Sequence, residues 1–400
     1  MIESFEIPDL LPRLVDRSLV HFDEITGRYH LLETVRQYSV EHAVNEGDTA
    51  VLRDQHLAYY LDLLGRSRGQ LRGARQVQWL GLLDAEYDNI RLALEWALVD
   101  QKRWADALDM AARLNDYWII RTMFAESDLW IVQLNETRTD WSAATSARLL
   151  LLAGLSKFFT GKTDTSTGEE ALRFARQAGQ DSLLGFALRN LTLDYVTVGR
   201  DADAQALADE ALEVYARTED WTSAAFLHIH MGNGALVNGM LDDAEERYRQ
   251  CLALRMKSKD LRGVGAALVS LGSVAEQRGD FPAAISLIRQ GISAFAQVAS
   301  SWDLAGALVS CCLELTQAGR NVEAAKIVGF ADALLAKAGG ARDIVDREIY
   351  DRWSSRVRAT LGDDEYEIAY RAGGQMTFDQ ALEIVFPAGL EVPSMDDGSA

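Results

Sequence analysis

Residues 272–284 read GSVAEQRGDFPAA. Gly279 ends a run of helix-forming residues, with Gly272 seven places before it and Ala284 five places after it. Pro282 sits where a helix would restart, a place that tolerates proline because its missing N–H would have no intrahelical partner there. The same marks recur in both directions. Glycines that end a helical pattern fall at Gly161, Gly199, Gly239, Gly279 and Gly319, 38 residues apart and then 40, 40 and 40. Seven places before each stand Gly154, Thr192, Gly232, Gly272 and Cys312. Five places after the last four stand Ala204, Ala244, Ala284 and Ala324, and twelve places after them Ala211, Cys251, Gly291 and Ala331. Short side chains at fixed places on both helices of a pair are what close antiparallel packing requires. The repeating unit is a helical hairpin.

Composition agrees with this reading. At 48% hydrophobic and 25% charged, the 400 residues are globular in character and exceed one ordinary core. None of the five prolines lies between Pro12 and Pro282, an interval rich in Ala, Leu, Arg and Glu that points to helix. A net charge of −20 disfavours broad contact with a phosphate backbone, which needs clustered Lys and Arg. The opening MIESFEIPDL lacks a basic segment followed by an apolar one, and no apolar run reaches the roughly 18 residues of a membrane span. A cytoplasmic location is expected. Cys251, Cys311 and Cys312 form no CxxC pair and fit a reducing compartment.

The repeats resemble the tetratricopeptide repeat, with small residues at helix contacts, Tyr195 and Tyr248 at aromatic places and turns such as GDFPAA at 279–284. Their period exceeds the usual ~34 residues, which predicts a longer helix or connection in each unit. Residues 10–45 read as a helix, two short strand-like runs about Thr26 and Gly27, and a second helix from about Val35, the second half of a winged helix. The first 45 residues carry eight acids against four arginines, so this module is expected to control or interact rather than read DNA. Its apolar set, Leu10, Leu11, Leu14, Val15 and Leu19, is expected to need a covering surface.

Four segments, LVDRSLV at 14–20, GRYHLLETVRQYS at 27–39, EYDNIRLALEWAL at 86–98 and LGDDEYEIAYRAGGQMTFDQALEIV at 361–385, resemble one family along nearly the whole chain. It is the actinobacterial regulators that join a nucleotide-switch ATPase of the signal-transduction (STAND) type, a winged helix and tetratricopeptide-like repeats, often ending in a LuxR-type DNA-binding domain. The resemblance implies a regulator whose helical array senses a partner or effector and whose winged helix transmits that state to an ATPase. The chain shows neither the ATPase core nor the DNA-binding helix-turn-helix, so neither activity is carried over. Where the wider class has a Met-His-Asp sensor, this sequence has Leu31, Leu32 and Glu33, and Glu33 is expected to pair with Arg36 instead.

The expected architecture is therefore all-α: a tetratricopeptide-like superhelix with a partial winged helix at 1–45. Irregular helical pairs follow at 46–140, regular repeats of about 40 residues at 141–340, a helical cap at 341–390 and a disordered tail at 391–400. Candidates for chemistry reduce to structure. SKFFTGKT at 156–163 ends like a phosphate-binding loop, but Ser156 stands where that loop needs its first glycine, so Gly161 is a turn and GKT begins a connection. His228 and His230 point to different sides of a helix and cannot readily share an ion. Trp79, Trp96, Trp104, Trp118 and Trp130 are expected in the core. No residue is nominated for catalysis, metal or cofactor.

The expected function is non-enzymatic: a sensor or protein-interaction module of a regulator that takes a protein, peptide or small effector on the concave face of the array. The rival readings are a DNA-binding regulator and a remnant of a nucleotide-switch ATPase. An ATPase partner or self-association through the N-terminal wing is a further expectation. Counting back two, three, six and ten places from the turn glycines, and taking Phe226 with them, gives the candidate groove: Phe158, Phe159, Arg189, Phe226, Asn233, Leu236, Ser273, Glu276 and Gln277.

Overall fold

In the computed structural model, described for residues 7–24, 27–46, 48–136 and 141–387, the chain divides into two units at Tyr60 and Leu61. The expected tail at 391–400, Thr26 in the turn and parts of the linking and cap segments lie outside the described residues.

The first unit starts with α1 (Ile7–Asp16). An antiparallel hairpin follows, β1 (Val20–Asp23) on β2 (Arg28–Leu31), with Val20 opposite Leu31 and Phe22 opposite Tyr29. Gly27 closes its turn at φ +67°, where a side chain would be strained. After the hairpin come α2 (Glu33–Glu46) and α3 (Thr49–Ser67), the latter running across the division. Glu33 pairs with Arg36 at 2.7 Å on the exposed side of α2. Leu10, Leu11, Leu14 and Val15 are half-buried, and Leu19 is exposed.

The second unit continues with a 3₁₀ turn at Gln70–Arg72 and then α4 (Gln76–Val99), α5 (Trp104–Ile120) and α6 (Phe124–Glu136). Trp118 and Trp130 are buried, while Trp79, Trp96 and Trp104 are half-buried. Five hairpins follow. They are α7 (Ala143–Phe159) with α8 (Thr165–Ala178), α9 (Asp181–Thr197) with α10 (Asp201–Thr218), and α11 (Trp221–Val237) with α12 (Leu241–Ser258). Next come α13 (Leu261–Gln277) with α14 (Phe281–Val298), and a first helix in two parts, α15 (Ser301–Ser310) and α16 (Cys312–Gln317), with α17 (Asn321–Ala338). Three closing helices are α18 (Ile344–Leu361), α19 (Asp363–Gly373) and α20 (Phe378–Val385). The protein is an all-α, tetratricopeptide-like repeat array. The long period lies in the helices, 17 and 18 residues each from the second to the fourth hairpin, and the connections stay short.

Both turns of the unit share one device. After the first helix, Gly161, Gly199, Gly239, Gly279 and Gly319 are left-handed, with φ between +72° and +82°. In the second hairpin the Gly199 N–H bonds the Val196 carbonyl and the Arg200 N–H reaches back to Tyr195, and the other four turns repeat this. That is the Schellman motif, which satisfies the last carbonyls of a helix. The second helices also end in a left-handed residue, at Gly179, Glu219, Lys259, Ala299 and Gly339, with φ from +51° to +65°, and the last three of these repeat both bonds. An aspartate then starts the third and the fourth hairpin, Asp220 accepting from the Ser223 N–H and Asp260 from the Gly263 N–H.

The small contact residues make room for large partners. A Cβ on Gly232 would lie 2.5 Å from the Tyr248 ring, and one on Gly272 would lie 2.8 Å from Ile288. Ala204, Ala211, Ala244, Cys251, Ala284, Ala324 and Ala331 are buried at the same seams. Gly154 differs: a Cβ there would meet nothing within 4 Å, so packing in the first hairpin does not require it. Cys311 and Cys312 are buried free thiols. The GKT segment follows helix α7 rather than a strand, and Lys162 sits 3.8 Å from Asp128.

Candidate functional site

The inner face of the hairpin array is covered by the chain itself. On one side the α4–α6 segment lies across it. Gln76 donates to Asp260 at 3.0 Å and accepts from the Arg262 N–H at 3.1 Å. Arg121 donates to the Val298 carbonyl, and Thr122 accepts from the Trp302 N–H. On the other side, the segment between α17 and α18 crosses to the first hairpin. The Ala341 N–H donates to the Phe159 carbonyl at 2.7 Å and the Ala341 carbonyl accepts from the Trp302 indole at 2.8 Å. Helix α18 then lays Arg352 on Glu276 at 2.8 Å.

What remains inside is a cavity of about 110 Å³. Its wall is built mainly by first helices: Phe158 and Phe159 from α7, Phe226, His230 and Asn233 from α11, Arg262, Ala266 and Val269 from α13, and Trp302 and Asp303 from α15. Phe226, His230 and Asn233 share one face of α11 because they are four and three residues apart. Arg255 reaches in from α12, Arg72 from the 3₁₀ turn, and Asp343 and Asp346 from the start of α18.

The charges fall into pairs. Arg72 binds Asp116 at 2.6 Å, Arg255 binds Asp260 at 2.8 Å, and Arg262 forks onto Asp303, Nε at 2.6 Å and Nη2 at 2.9 Å. Ser300 donates to the same Asp303 carboxylate. Breaking a buried pair such as Arg255–Asp260 or Arg262–Asp303 from one side costs about 3–5 kcal/mol, and the Arg72–Asp116 and Arg262–Asp303 pairs act as staples between segments 44 and 41 residues apart. Burial, together with the nearby Arg189, Arg255 and Arg262, pulls the His230 imidazole down to about 3, so the ring is neutral. Burial raises both Asp343 and Asp346, which also face each other and Asp303, so both hold a proton more readily than an exposed carboxyl. Asp343 caps α18 by accepting from the Asp346 N–H, and Asn233 donates to its other oxygen at 3.4 Å.

Of the groove residues expected from sequence, Phe158, Phe159, Phe226 and Asn233 line this cavity. Arg189 stands beside it, its guanidinium 4.3 Å from the Phe186 ring centre and 4.2 Å from that of Phe226. The other four lie elsewhere. Leu236 is in the hydrophobic core, the Ser273 hydroxyl donates to its own helix at Val269, Glu276 is covered by Arg352, and Gln277 is half-buried outside the wall. Counting from the turn glycines fails for them because α18 and the core take up the C-terminal ends of α11 and α13, leaving the cavity to residues nearer their middles and starts. Sequence reasoning missed the staples. Asp220 and Asp260 recur at 40 residues and mark helix starts, but Gln76, a partner of Asp260, lies 184 positions away and carries no local signal. His230 faces this cavity whereas His228 faces a groove lined from α10 and α12, so the two do not converge. Among the described residues, no group of three His, Cys, Asp or Glu is placed to hold a metal ion. No described helix is long and apolar enough to cross a membrane.

No family model matches the chain. Among curated proteins, it is 30% identical over 252 residues to a "Putative HTH-type transcriptional regulator" of Mycobacterium tuberculosis and to its counterpart in Mycobacterium bovis. The match covers 60% of this chain and 28% of the length of those relatives. Among solved structures, a Rap protein complexed with competence and sporulation factor superimposes with a TM-score of 0.53 at 13% identity, over 84% of this chain and 99% of that one. A signal-transduction ATPase with a tetratricopeptide repeat sensor from Pyrococcus horikoshii reaches a TM-score of 0.42 over 94% of this chain and 59% of its own, too loose to carry an argument. The chain is thus similar in sequence to HTH-type transcriptional regulators and shares its repeat fold with the Rap protein.

Proposed function

We propose that this chain is the sensor portion of a transcription-regulator-type protein, and that it takes a small effector inside its helical array. The observation that carries this reading is the cavity itself. It is bordered by three segments distant in sequence, lined by both aromatic rings and ionised groups, and its ~110 Å³ match a small molecule better than a protein partner. A protein or peptide on the inner face would first have to displace the Ala341 crossing and α18. An occupant touching α11, α13, the 3₁₀ turn and the start of α18 at once would tighten the closure of the array, which is how a ligand biases a two-state element. Residues 1–45, read as the second half of a winged helix, are the element proposed to pass that state on. Similarity to HTH-type regulators supports the setting, and the Rap protein, whose repeat fold this chain shares, is itself seen in complex with a competence and sporulation factor.

The test is thermal melting of the full chain in the low-molecular-weight fraction of a cell extract. A melting temperature raised by the fraction in the wild type, and not in an Ala266→Phe variant whose ring fills the cavity, is the expected result. An equal rise in both proteins, or none in either, removes the cavity from the function.

A further inference from the structure

The chain carries a net charge of −20, yet four arginines gather at this cavity. Arg72, Arg255 and Arg262 form its wall and Arg189 stands at its edge, close enough to act on the His230 ring together with Arg255 and Arg262. Three of the four are neutralised, each by one aspartate. Arg189 is the exception. Among the described residues no carboxylate pairs with it, and its Nε and Nη2 reach only the Asn190 amide oxygen, at 3.3 and 3.1 Å. The guanidinium carbon lies over both the Phe186 and the Phe226 ring, 4.3 and 4.2 Å from their centres, and with Nε and Nη2 turned to Asn190 the edge carrying Nη1 makes no hydrogen bond among the described residues and is left for a ligand. Burial brings its pKa down to about 10, still charged at neutral pH. A second donor in the same wall is also unused: Arg255 is 3% exposed and its Nε has no partner.

We propose that the effector is a small carboxylic acid with an apolar, ring-sized body, its carboxylate bound by the Arg189 guanidinium and its body seated against Phe226, Phe158 and Phe159. A planar guanidinium recognises a carboxylate by two parallel hydrogen bonds. The Phe226 ring that supports Arg189 also lines the cavity, so anion and body sites adjoin. Of the facing acids, Asp303 is neutralised by Arg262, and burial makes Asp343 and Asp346 hold a proton more readily than exposed carboxyls, which weakens their repulsion of this ligand. A cavity of this volume suits a benzene-sized group and excludes a phosphorylated peptide.

This inference rests on the cavity being the effector site, and the experiment separates the two. Calorimetric titration of the full chain with phenylacetate and with phenylacetamide, its neutral counterpart, should show at least tenfold tighter binding of the acid. Arg189→Gln should abolish that difference, and Arg189→Lys, which keeps the charge but loses the fork, should restore part of it, with the far-UV helical signal unchanged in both variants. Equal binding of acid and amide by the wild type overturns the proposal without needing any variant. So does unchanged acid binding in Arg189→Gln. If neither probe binds while the extract fraction still raises the melting temperature, the cavity reading stands and the carboxylate assignment falls. If the extract fraction is silent as well, both fall.

Discussion

Among the repeat hairpins, three residues other than glycine hold the left-handed conformation at the end of a second helix: Glu219, Lys259 and Ala299, at φ +54°, +57° and +51°. Each closes a second helix where Gly179 and Gly339 close the first and the last hairpin. A Cβ in that region costs about 1–2 kcal/mol, part of which glycine returns by being more flexible in the unfolded chain. Ala299→Gly should therefore stabilise the protein by up to about 1 kcal/mol, read as a higher urea midpoint with an unchanged slope. Asp194 presents the opposite case. It is 4% exposed on α9, and among the described residues no hydrogen bond reaches its carboxylate. Burial, with Asp164 nearby, raises it to about 7 from an ordinary value of 3.8. The folded state thus keeps this proton to a higher pH than the unfolded state, so stability is lost as pH rises from about 4 to about 7 and is level above that. Asp194→Asn should raise the unfolding free energy at pH 8 by on the order of a few kcal/mol, seen as a higher melting temperature, and change little at pH 4. An equal effect at both pH values would refute the burial argument.

Helix α17 meets α19 more closely than any turn glycine requires. A Cβ on Gly329 would lie 2.0 Å from the Tyr370 carbonyl oxygen, and one on Gly373 would lie 2.0 Å from that of Lys326. Backbone cannot step aside as a flexible side chain can, so either alanine substitution should cost about 3 kcal/mol in chemical denaturation. Gly154→Ala, inside α7 with nothing within 4 Å, should instead add roughly 0.5–1 kcal/mol of stability. These elements show what the sequence made legible. The first turn of every hairpin is readable because glycine announces a left-handed residue. The second turn is not, since Glu219, Lys259 and Ala299 give no such sign and their conformation is imposed by the packing of the next hairpin. The approach at Gly329 and Gly373 is equally silent because it joins the last hairpin to the cap and so falls outside the repeating positions.

Across the second unit, the five hairpins enclose an interior that sequence analysis expected to be an open groove. Phe158, Phe159, Phe226 and Asn233 could be read from the repeat because they sit on first helices that face inward. The covering segments could not: Gln76, Thr122 and Ala341 close the interior through contacts with Asp260, Trp302 and Phe159 that span nearly half the chain, and contacts of that range leave no periodic mark. The closure turns a surface suited to a protein partner into a cavity suited to a small molecule, and that is the account's central claim. Native mass spectrometry of the full chain, purified gently from cells that make it, tests this claim most directly. The account predicts a single bound small molecule on the wild-type chain, released on unfolding and absent from Ala266→Phe. A bare wild-type chain, or the same bound mass on the filled variant, would contradict it.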